Sequence, residues 1–341
     1  MADETGAAAY PEGVPCWVDA QLPDVEAGKR FYGELFGWTF AVAPGDGARE
    51  LWAYAPGTPA APPAPEAPSV PSVPSAPEAP RSPAASTTRT PAPTSLTPVA
   101  ALAPKPDGRF PTVWTVHFAT PDAVALTARI TAAGGQVITP PTPVGHLGTA
   151  VLATDPEGAV FGIWQAGTHR GFGRRHEPGT FAWAELYTRD TEAANSFYAY
   201  LFHDALFGPD AAPDFGRAAL TDVFPAEMPP HFLIHFGTDD CEAALGTVGR
   251  LGGRVRTDPF ETSYGNVAVV TDNQGASFAL LQRGDGNGWR EAPQEADQAQ
   301  QRPDDLRQQG DEQRKSGGED QRGPGGRSDA RTAADQREDG G

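Results

Sequence analysis

Apolar and polar residues alternate along positions 16–22, which predicts a half-buried β-strand. A helix is predicted to follow at once, because Asp24 stands where an N-cap is expected and Gly37 stands where a helix would end. Between these two residues the large apolar side chains share one helical face, at Val25, Phe31, Leu35 and Phe36. The pattern therefore predicts a strand followed by an amphipathic helix of about three turns.

This pattern is repeated later in the chain. Residues 16–36 resemble residues 182–202, and residues 113–165 resemble residues 232–282. The matched pairs are Trp17 with Trp183, Asp19 with Glu185, Phe31 with Phe197, and His117 with His235. Internal repetition of this kind predicts repeated supersecondary units, here four strand–helix–strand modules arranged in two pairs.

Composition separates the modules from the segments around them. Pro, Ala, Ser and Thr dominate residues 57–96, and polar or charged residues dominate the C-terminal part of the chain. Such segments bury too little apolar surface to offset the entropy lost on ordering. The predicted organisation is a disordered N-terminus at 1–11, a first domain at 12–168 with a disordered insert at 57–96, a linker at 169–175, a second domain at 176–284 and a disordered polar tail at 285–341.

The formal net charge of −18 argues against a nucleic-acid partner, because such proteins need Lys and Arg to neutralise phosphates. The N-terminal residues show no basic and apolar pattern of a secretory signal, and no apolar run is long enough to span a membrane. A cytoplasmic protein without membrane contact is the expectation. The two cysteines, Cys16 and Cys241, are far apart and give no disulfide or zinc spacing.

The motifs FYGELFGW at 31–38, AAGGQV at 132–137, GRLGGRV at 249–255 and DPEGAVFGIWQ at 155–165 resemble the vicinal-oxygen-chelate superfamily of glyoxalases, bleomycin-resistance proteins and dioxygenases. The resemblance implies an α+β fold of two domains, each made of paired βαβββ modules that curl into an incomplete barrel. We call the concave face of each barrel a cup. The second domain is expected to be partly degenerate, because few residues are available for its second and third strands and 217–223 are all that remain before the next module.

Metal-using members of this family take ligands from the first and last strands of each module. The resemblance places these positions at Trp17, Thr115, Gly162, Trp183, Leu233 and Ala279. None of these side chains is an imidazole, carboxylate or thiolate, which are the usual ligands of a divalent cation. The prediction is a protein without a metal cofactor, and the alternative is a divalent metal held by other residues.

A second set of polar residues lies two positions further along the same strands. Asp19 shares a strand face with Trp17, His117 shares one with Thr115, and Glu185 and His235 repeat this arrangement. A carboxylate beside an imidazole can act as an acid–base pair, which makes these four residues candidate catalytic groups. The alternative is that they bond to backbone groups or are simply packed or solvated. The candidate ligand-binding residues are Trp17, Asp19, Thr115, His117 and Trp183.

Other histidines and tryptophans carry weaker expectations. His146, His169 and His176 fall in predicted loops and are expected to be solvated, whereas Trp52 and Trp164 are expected in the core or at its rim. Prolines recur at every third position across residues 56–83, the period of a polyproline II helix. This segment is either a ligand for a proline-binding groove or a tolerated loop expansion.

Three functions remain open from the sequence. The first is binding of a small, partly apolar molecule without metal. The second is an enzyme of the glyoxalase, dioxygenase or hydroxylase-like class that uses Asp19 and His117 or a bound divalent metal. The third is an interaction protein in which the cups are vestigial.

Overall fold

The computed structural model describes residues 10–44, 50–56, 98–105, 111–202, 205–207, 211, 214–220, 228–262 and 264–284. The insert at 57–96 and the tail at 285–341 lie outside the described residues, as does nearly all of the N-terminal segment. The predictions of disorder and of a proline-groove partner fall on those segments. Among the described helices, none is long and apolar enough to cross a membrane.

The first half contains two complete βαβββ modules. The first module comprises β1 (Pro15–Leu22), α1 (Val25–Phe36), β2 (Thr39–Val42), β3 (Leu51–Tyr54) and β4 (Ala100–Pro104), and the second comprises β5 (Trp114–Ala119), α2 (Ala123–Ala132), β6 (Gln136–Val144), β7 (Gly148–Thr154) and β8 (Val160–Ala166). They form one eight-stranded sheet in the order β2-β3-β4-β1-β5-β8-β7-β6. The first strands of the two modules, β1 and β5, pair antiparallel at its centre.

The described residues of the second half repeat this plan with fewer strands. It comprises β9 (Phe181–Thr188), α3 (Thr191–Phe202), β10 (Phe215–Ala219), β11 (His231–Gly237), α4 (Cys241–Arg250), β12 (Arg254–Val255), β13 (Phe260–Thr262), β14 (Gly265–Thr271) and β15 (Ser277–Gln282). The order is β10-β9-β11-β15-β14-β12, with β13 paired to β14. The α+β fold with a partly degenerate second domain is therefore confirmed. The prediction of residues 217–223 as the remaining strand was wrong at both ends, because the buried Phe215 already pairs with β9.

Local sequence explains where the helices begin. The Ala27 N–H donates to Asp24 Oδ1 at 3.0 Å, so Asp24 caps α1 as the sequence indicates. The other three helices are capped in the same way, by Asp122, Asp190 and Asp240. Helix α1 ends at Gly37, whose φ of 69° lies in the left-handed region that favours glycine.

The four described helices pack in a layer between the two sheets, where strands β5 and β11 also contact each other directly. The ring of Tyr32 on α1 lies 5.3 Å from that of Trp114 on the first sheet and 5.8 Å from that of Phe278 on the second. Tyr32 Oη donates to Asp272 Oδ2 at 2.9 Å, and Tyr198 Oη on α3 donates to Asp155 Oδ2 at 3.3 Å. Each half therefore sends one tyrosine into a buried hydrogen bond with the other half. The two cups open on the sheet faces turned away from this layer.

The two repeats pack into a single compact body. The segment predicted as a linker, 169–175, contributes His169 and Phe172 to the buried interior, and the Phe172 ring stacks on Phe181 of β9 at 4.7 Å. Helix α1 packs beside α4, and α2 packs beside α3. Because the apolar helix faces are shared, the core belongs to both halves at once.

Candidate functional site

The first cup contains a cavity of about 300 Å³ on the open face of the first sheet. Strands β1, β5 and β7 supply its floor, and β3, β6 and the segment after β8 supply its rim. Its aromatic walls are Trp17, Trp52 and Trp164, and its polar groups include Asp19, Gln21, Glu50, Thr115, His117 and His169. A mostly apolar recess with a few convergent polar groups is typical of a small-molecule site.

The register of β1 against β5 positions the four predicted first-cup residues. Trp17 stands opposite His117, and Asp19 stands opposite Thr115. Alternate side chains of a strand project from the same face, so all four line the cavity together. The intervening residues of both strands project into the helix layer, where Val18 and Val116 are fully buried.

Asp19 and His117 form a bonded pair. The Nε2–H of His117 donates to Asp19 Oδ1, and the two side chains keep 11% and 16% of their exposure. This bond orients the imidazole and allows a proton to be held between the two groups. The His117 ring lies over Gly162 of β8, where a Cβ atom would overlap it. The pair can therefore exist only because position 162 carries no side chain.

Glu50 is a cavity residue that no motif or periodicity in the sequence singles out. It precedes β3 and lines the same cavity as Asp19 and His117. Burial, together with the nearby Asp19 carboxylate, raises the pKa of Glu50 to about 7, although His117 and a hydrogen bond from Trp52 oppose the shift. Its carboxyl group therefore changes charge near neutral pH. Its place in the cup depends on β3 pairing with β4 across the insert, which no local pattern reveals.

His169 is also a cavity residue, and the prediction that it is solvated was wrong. Its side chain is only 6% exposed because its ring lies 4.4 Å from that of Trp17 and 4.6 Å from that of Trp52. Trp164 Nε1 donates to the His169 carbonyl at 2.9 Å and fixes the segment. Burial lowers the pKa of His169 to about 4, so the ring is neutral. Its Nε2 has no hydrogen-bond partner within the described chain.

The other two loop histidines differ from each other. His146 is exposed, as expected. His176 was expected to be solvated, but its Nε2 atom forms a hydrogen bond with the carboxylate of Asp214. That carboxylate is completely buried and also accepts a hydrogen bond from Arg175. This cluster ties the segment before β9 to Asp214, which immediately precedes β10.

Among the described residues of the second cup, apolar and aromatic side chains pack against one another. Leu233, Val267, Ala279 and Leu281 form a separate apolar cluster, against which Tyr187 and Tyr264 pack. Trp183 stacks on Tyr264 with ring centroids 5.9 Å apart and lies over Gly216, where a Cβ atom would overlap the indole. The structure thus places Trp183 in packing contacts and does not bring it to the first-cup cavity.

Glu185 and His235 are buried in the second cup without a direct hydrogen bond to each other. Their closest side-chain atoms, Glu185 Oε2 and His235 Nε2, are 3.8 Å apart. Burial raises the pKa of Glu185 to about 7 and lowers the pKa of His235 to about 4. Both groups therefore favour their neutral forms, unlike the bonded pair of the first cup.

The Glu185→Gln variant is expected to be more stable than the parent protein at alkaline pH and about equally stable near pH 5. The folded pKa of about 7 lies above the ordinary value of 4.5, so the stability from protonated Glu185 is complete below 4.5 and is lost as the pH rises through 7. The loss amounts to roughly 3 kcal/mol at most, at about 1.4 kcal/mol per pKa unit. Melting temperatures from acid to alkaline pH measure the difference.

His235 makes an opposite contribution, which is lost as the pH falls below 6.5 toward 4, but both proteins share it. Glu26→Gln, a change at an exposed glutamate of α1 that pairs with Lys29, is the matched control and should change stability by no more than about 0.5 kcal/mol. A pH-independent difference for Glu185→Gln would show that the carboxyl group is ionised in the folded protein.

The metal positions implied by the family resemblance are not suited to a cation in this structure. Trp17 and Thr115 stand on the first strands, and Gly162 has no room for a ligand because the His117 ring occupies that space. Within the described part of the chain, no group of three His, Cys, Asp or Glu residues could hold a metal ion. The residues present in the first cup therefore do not fit the metal.

Comparison with known proteins places these features in context. A sequence profile of the Glyoxalase/Bleomycin resistance protein/Dioxygenase superfamily matches residues 17–163. The chain is 31% identical over 289 residues to the anthracycline biosynthesis protein DauV of Streptomyces sp. (strain C5), covering 80% of this chain and 94% of that protein. It is 30% identical over 286 residues to the putative glyoxylase CFP32 of Mycobacterium tuberculosis (strain CDC 1551 / Oshkosh), covering 80% and 95%. The Mn(II)-bound glyoxalase from Novosphingobium aromaticivorans aligns at 14% identity with a TM-score of 0.47, covering 82% of this chain and 86% of that one.

Proposed function

The chain belongs to the Glyoxalase/Bleomycin resistance protein/Dioxygenase superfamily, and within that family we propose that it binds a small, partly apolar organic molecule in the first cup without a metal ion. The observation that carries the proposal is the indole of Trp17 at a metal position of the cup, beside a cavity of about 300 Å³. That volume lies at the lower end of the range of ligand pockets, roughly 300–1,000 Å³.

The polar groups of the cavity support the same function. Thr115 and the Asp19–His117 pair stand on one wall, and Trp52 and Trp164 stand on others. Indoles supply flat apolar area, and a few fixed polar groups set the orientation of a ligand. One relative is named as an anthracycline biosynthesis protein and another as a putative glyoxylase, and both names favour a small organic molecule as the class of ligand.

An enzyme is the second candidate, and one specific observation favours it. The bonded Asp19–His117 pair faces the recess, where it could take a proton from a bound molecule and return it at another atom. The protein residues alone would perform that step. Turnover of a ligand identified by binding would distinguish this candidate from simple sequestration.

The test uses the full-length protein purified without chelator. Metal content is measured first, and binding of small planar organic molecules is then followed by tryptophan fluorescence before and after treatment with a chelator. We expect no stoichiometric divalent metal and no effect of chelation on saturable binding. Tightly bound metal at one equivalent, or binding abolished by the chelator, would overturn the proposal.

A pair of matched variants places the ligand. Trp52→Leu alters the first cup, whereas Trp183→Leu alters the second. We expect the first change to weaken binding by at least about tenfold, as for loss of an aromatic stacking partner, and the second to leave it unchanged. Circular dichroism confirms that both variants are folded. Weaker binding in the second variant alone would place the ligand in the second cup.

A further inference from the structure

The side chains that give the first cup its charge are acidic. Two carboxyl groups, Asp19 and Glu50, line the cavity, whereas none of the described lining residues is Lys or Arg. The remaining titratable groups that face Glu50 are His117, which is bonded to Asp19, and His169, which is neutral. Among the described lining residues, an anionic ligand would meet two carboxyl groups and no Lys or Arg, and a buried charge needs an opposite partner.

The carboxyl groups add hydrogen-bond acceptors to a cup whose other polar groups include Thr115 and Gln21. Carboxylates accept hydrogen bonds and do not donate them. His169, which is 6% exposed, has an Nε2 atom with no partner among the described residues. An unpaired polar atom at such depth is costly unless a ligand or water completes it. In the tautomer whose proton is on Nδ1, the Nε2 atom of a neutral imidazole accepts a hydrogen bond, so it offers a ligand N–H one more acceptor.

The tryptophan side chains that form the walls of the first cup can attract cations. The faces of indole rings carry negative electrostatic potential, and Trp is the best of the aromatic residues for holding an organic cation. Trp17 and Trp52 both line the cavity, with ring centroids 6.2 Å apart in an edge-to-face arrangement. The two carboxyl groups lie beside these rings in the same recess, so charge and aromatic surface act on the same bound molecule.

We propose that the first cup selects a small organic cation, a protonated amine carried on an apolar or aromatic body, with Asp19 and Glu50 as its counter-charges and Trp17 and Trp52 as its walls. This inference rests on the proposed function of small-molecule binding in that cup. An ammonium group supplies several N–H donors at once, which complements a set of carboxylates and an unpaired imidazole nitrogen.

The test compares three probes that share one body and differ in charge: 1-naphthylmethylamine, 1-naphthylmethanol and 1-naphthoate. Binding to the full-length protein is measured by calorimetry and tryptophan fluorescence. We expect the amine to bind at least about tenfold more tightly than the alcohol, the size of a desolvated cation–π contact with a counter-charge, and the carboxylate to show no saturable binding.

Glu50→Gln isolates the counter-charge, and Glu185→Gln in the second cup is its matched control. We expect Glu50→Gln to weaken the amine by about five- to tenfold without changing the alcohol, and Glu185→Gln to change neither. Because Glu50 gains its charge as the pH rises through 7, the affinity for the amine should also rise between about pH 6 and about pH 8. Glu50→Gln should remove that rise.

Each outcome separates the two proposals. Equal or tighter binding of the alcohol would overturn the selection of cations and leave small-molecule binding in place. Tighter binding of the carboxylate would overturn it in the same way. If no probe binds, the inference fails. The screen of planar organic molecules described above then decides whether the proposed function is correct.

Discussion

Replacing Phe31 by alanine is expected to lower the free energy of unfolding by about 3–5 kcal/mol, the usual cost of deleting a buried aromatic ring. The Phe31 side chain is 1% exposed. Its ring lies 5.1 Å from that of Tyr32 and 6.4 Å from that of Phe278 on β15. Because β15 belongs to the other half, the cavity left by the truncation weakens both halves together. Denaturant unfolding followed by circular dichroism and fluorescence measures the loss.

The repeated half supplies a second test. Phe197 lies 6.2 Å from Phe161 on β8, so Phe197→Ala should cost a similar amount. Val124→Ala removes an aliphatic side chain that is 68% exposed on α2, and it should change stability by less than about 0.5 kcal/mol. A loss below about 1 kcal/mol for both phenylalanines, or unfolding of one half while the other persists, would contradict a shared core.

Gly162→Ala is expected to disable the first cup with a single methyl group. A Cβ at this position overlaps the His117 ring, so the imidazole must leave the place in which it bonds to Asp19. Overpacking of this kind costs about 1–3 kcal/mol, and loss of the oriented pair should weaken ligand binding by at least about tenfold. Thermal unfolding and the binding titration described above measure the two effects.

Gly246→Ala is the matched control. Gly246 lies within α4, and a Cβ there would meet no atom within 4 Å. Alanine in a helix interior is favoured over glycine by roughly 0.5–1 kcal/mol, so this variant should be equally or more stable and should bind normally. Unchanged binding by Gly162→Ala would mean that the orientation of His117 does not matter to the ligand.

The elements that the sequence predicted well are those whose signals are local. Alternation along 16–22 and the aspartate before α1 depend on neighbouring residues alone, and both match the structure. The same period-two argument placed Asp19 and His117 on one face, and the structure has them bonded side by side. The short strands β2 and β3 were not predicted residue by residue, because they are only four residues long and lie beside segments without a regular pattern.

Contacts between elements that are far apart in the chain could not be predicted from local sequence patterns. Periodicity placed Phe31 on the apolar face of α1, but contacts between residues far apart in the chain decide that this ring packs against Phe278 of the other half. His169 and Glu50 reached the cavity from positions outside any helix or strand, and periodicity carries no information there. Their burial depends on where β3 begins and where β8 ends, which is a property of the assembled sheet.

The hydrogen bonds that Tyr32 and Tyr198 make to the opposite half also determine when this protein can complete its folding during synthesis. Tyr32 and its partner Asp272 are separated by 240 positions. At about 5–20 residues per second, a ribosome needs on the order of ten to fifty seconds to deliver the partner after the helix has emerged. During that interval, the residues of the first half do not fully cover the aromatic face of α1, which carries Phe31, Tyr32 and Phe36. The nascent first half therefore exposes apolar surface to which chaperones can bind. The core is complete only after the last strands of the second half have been synthesised.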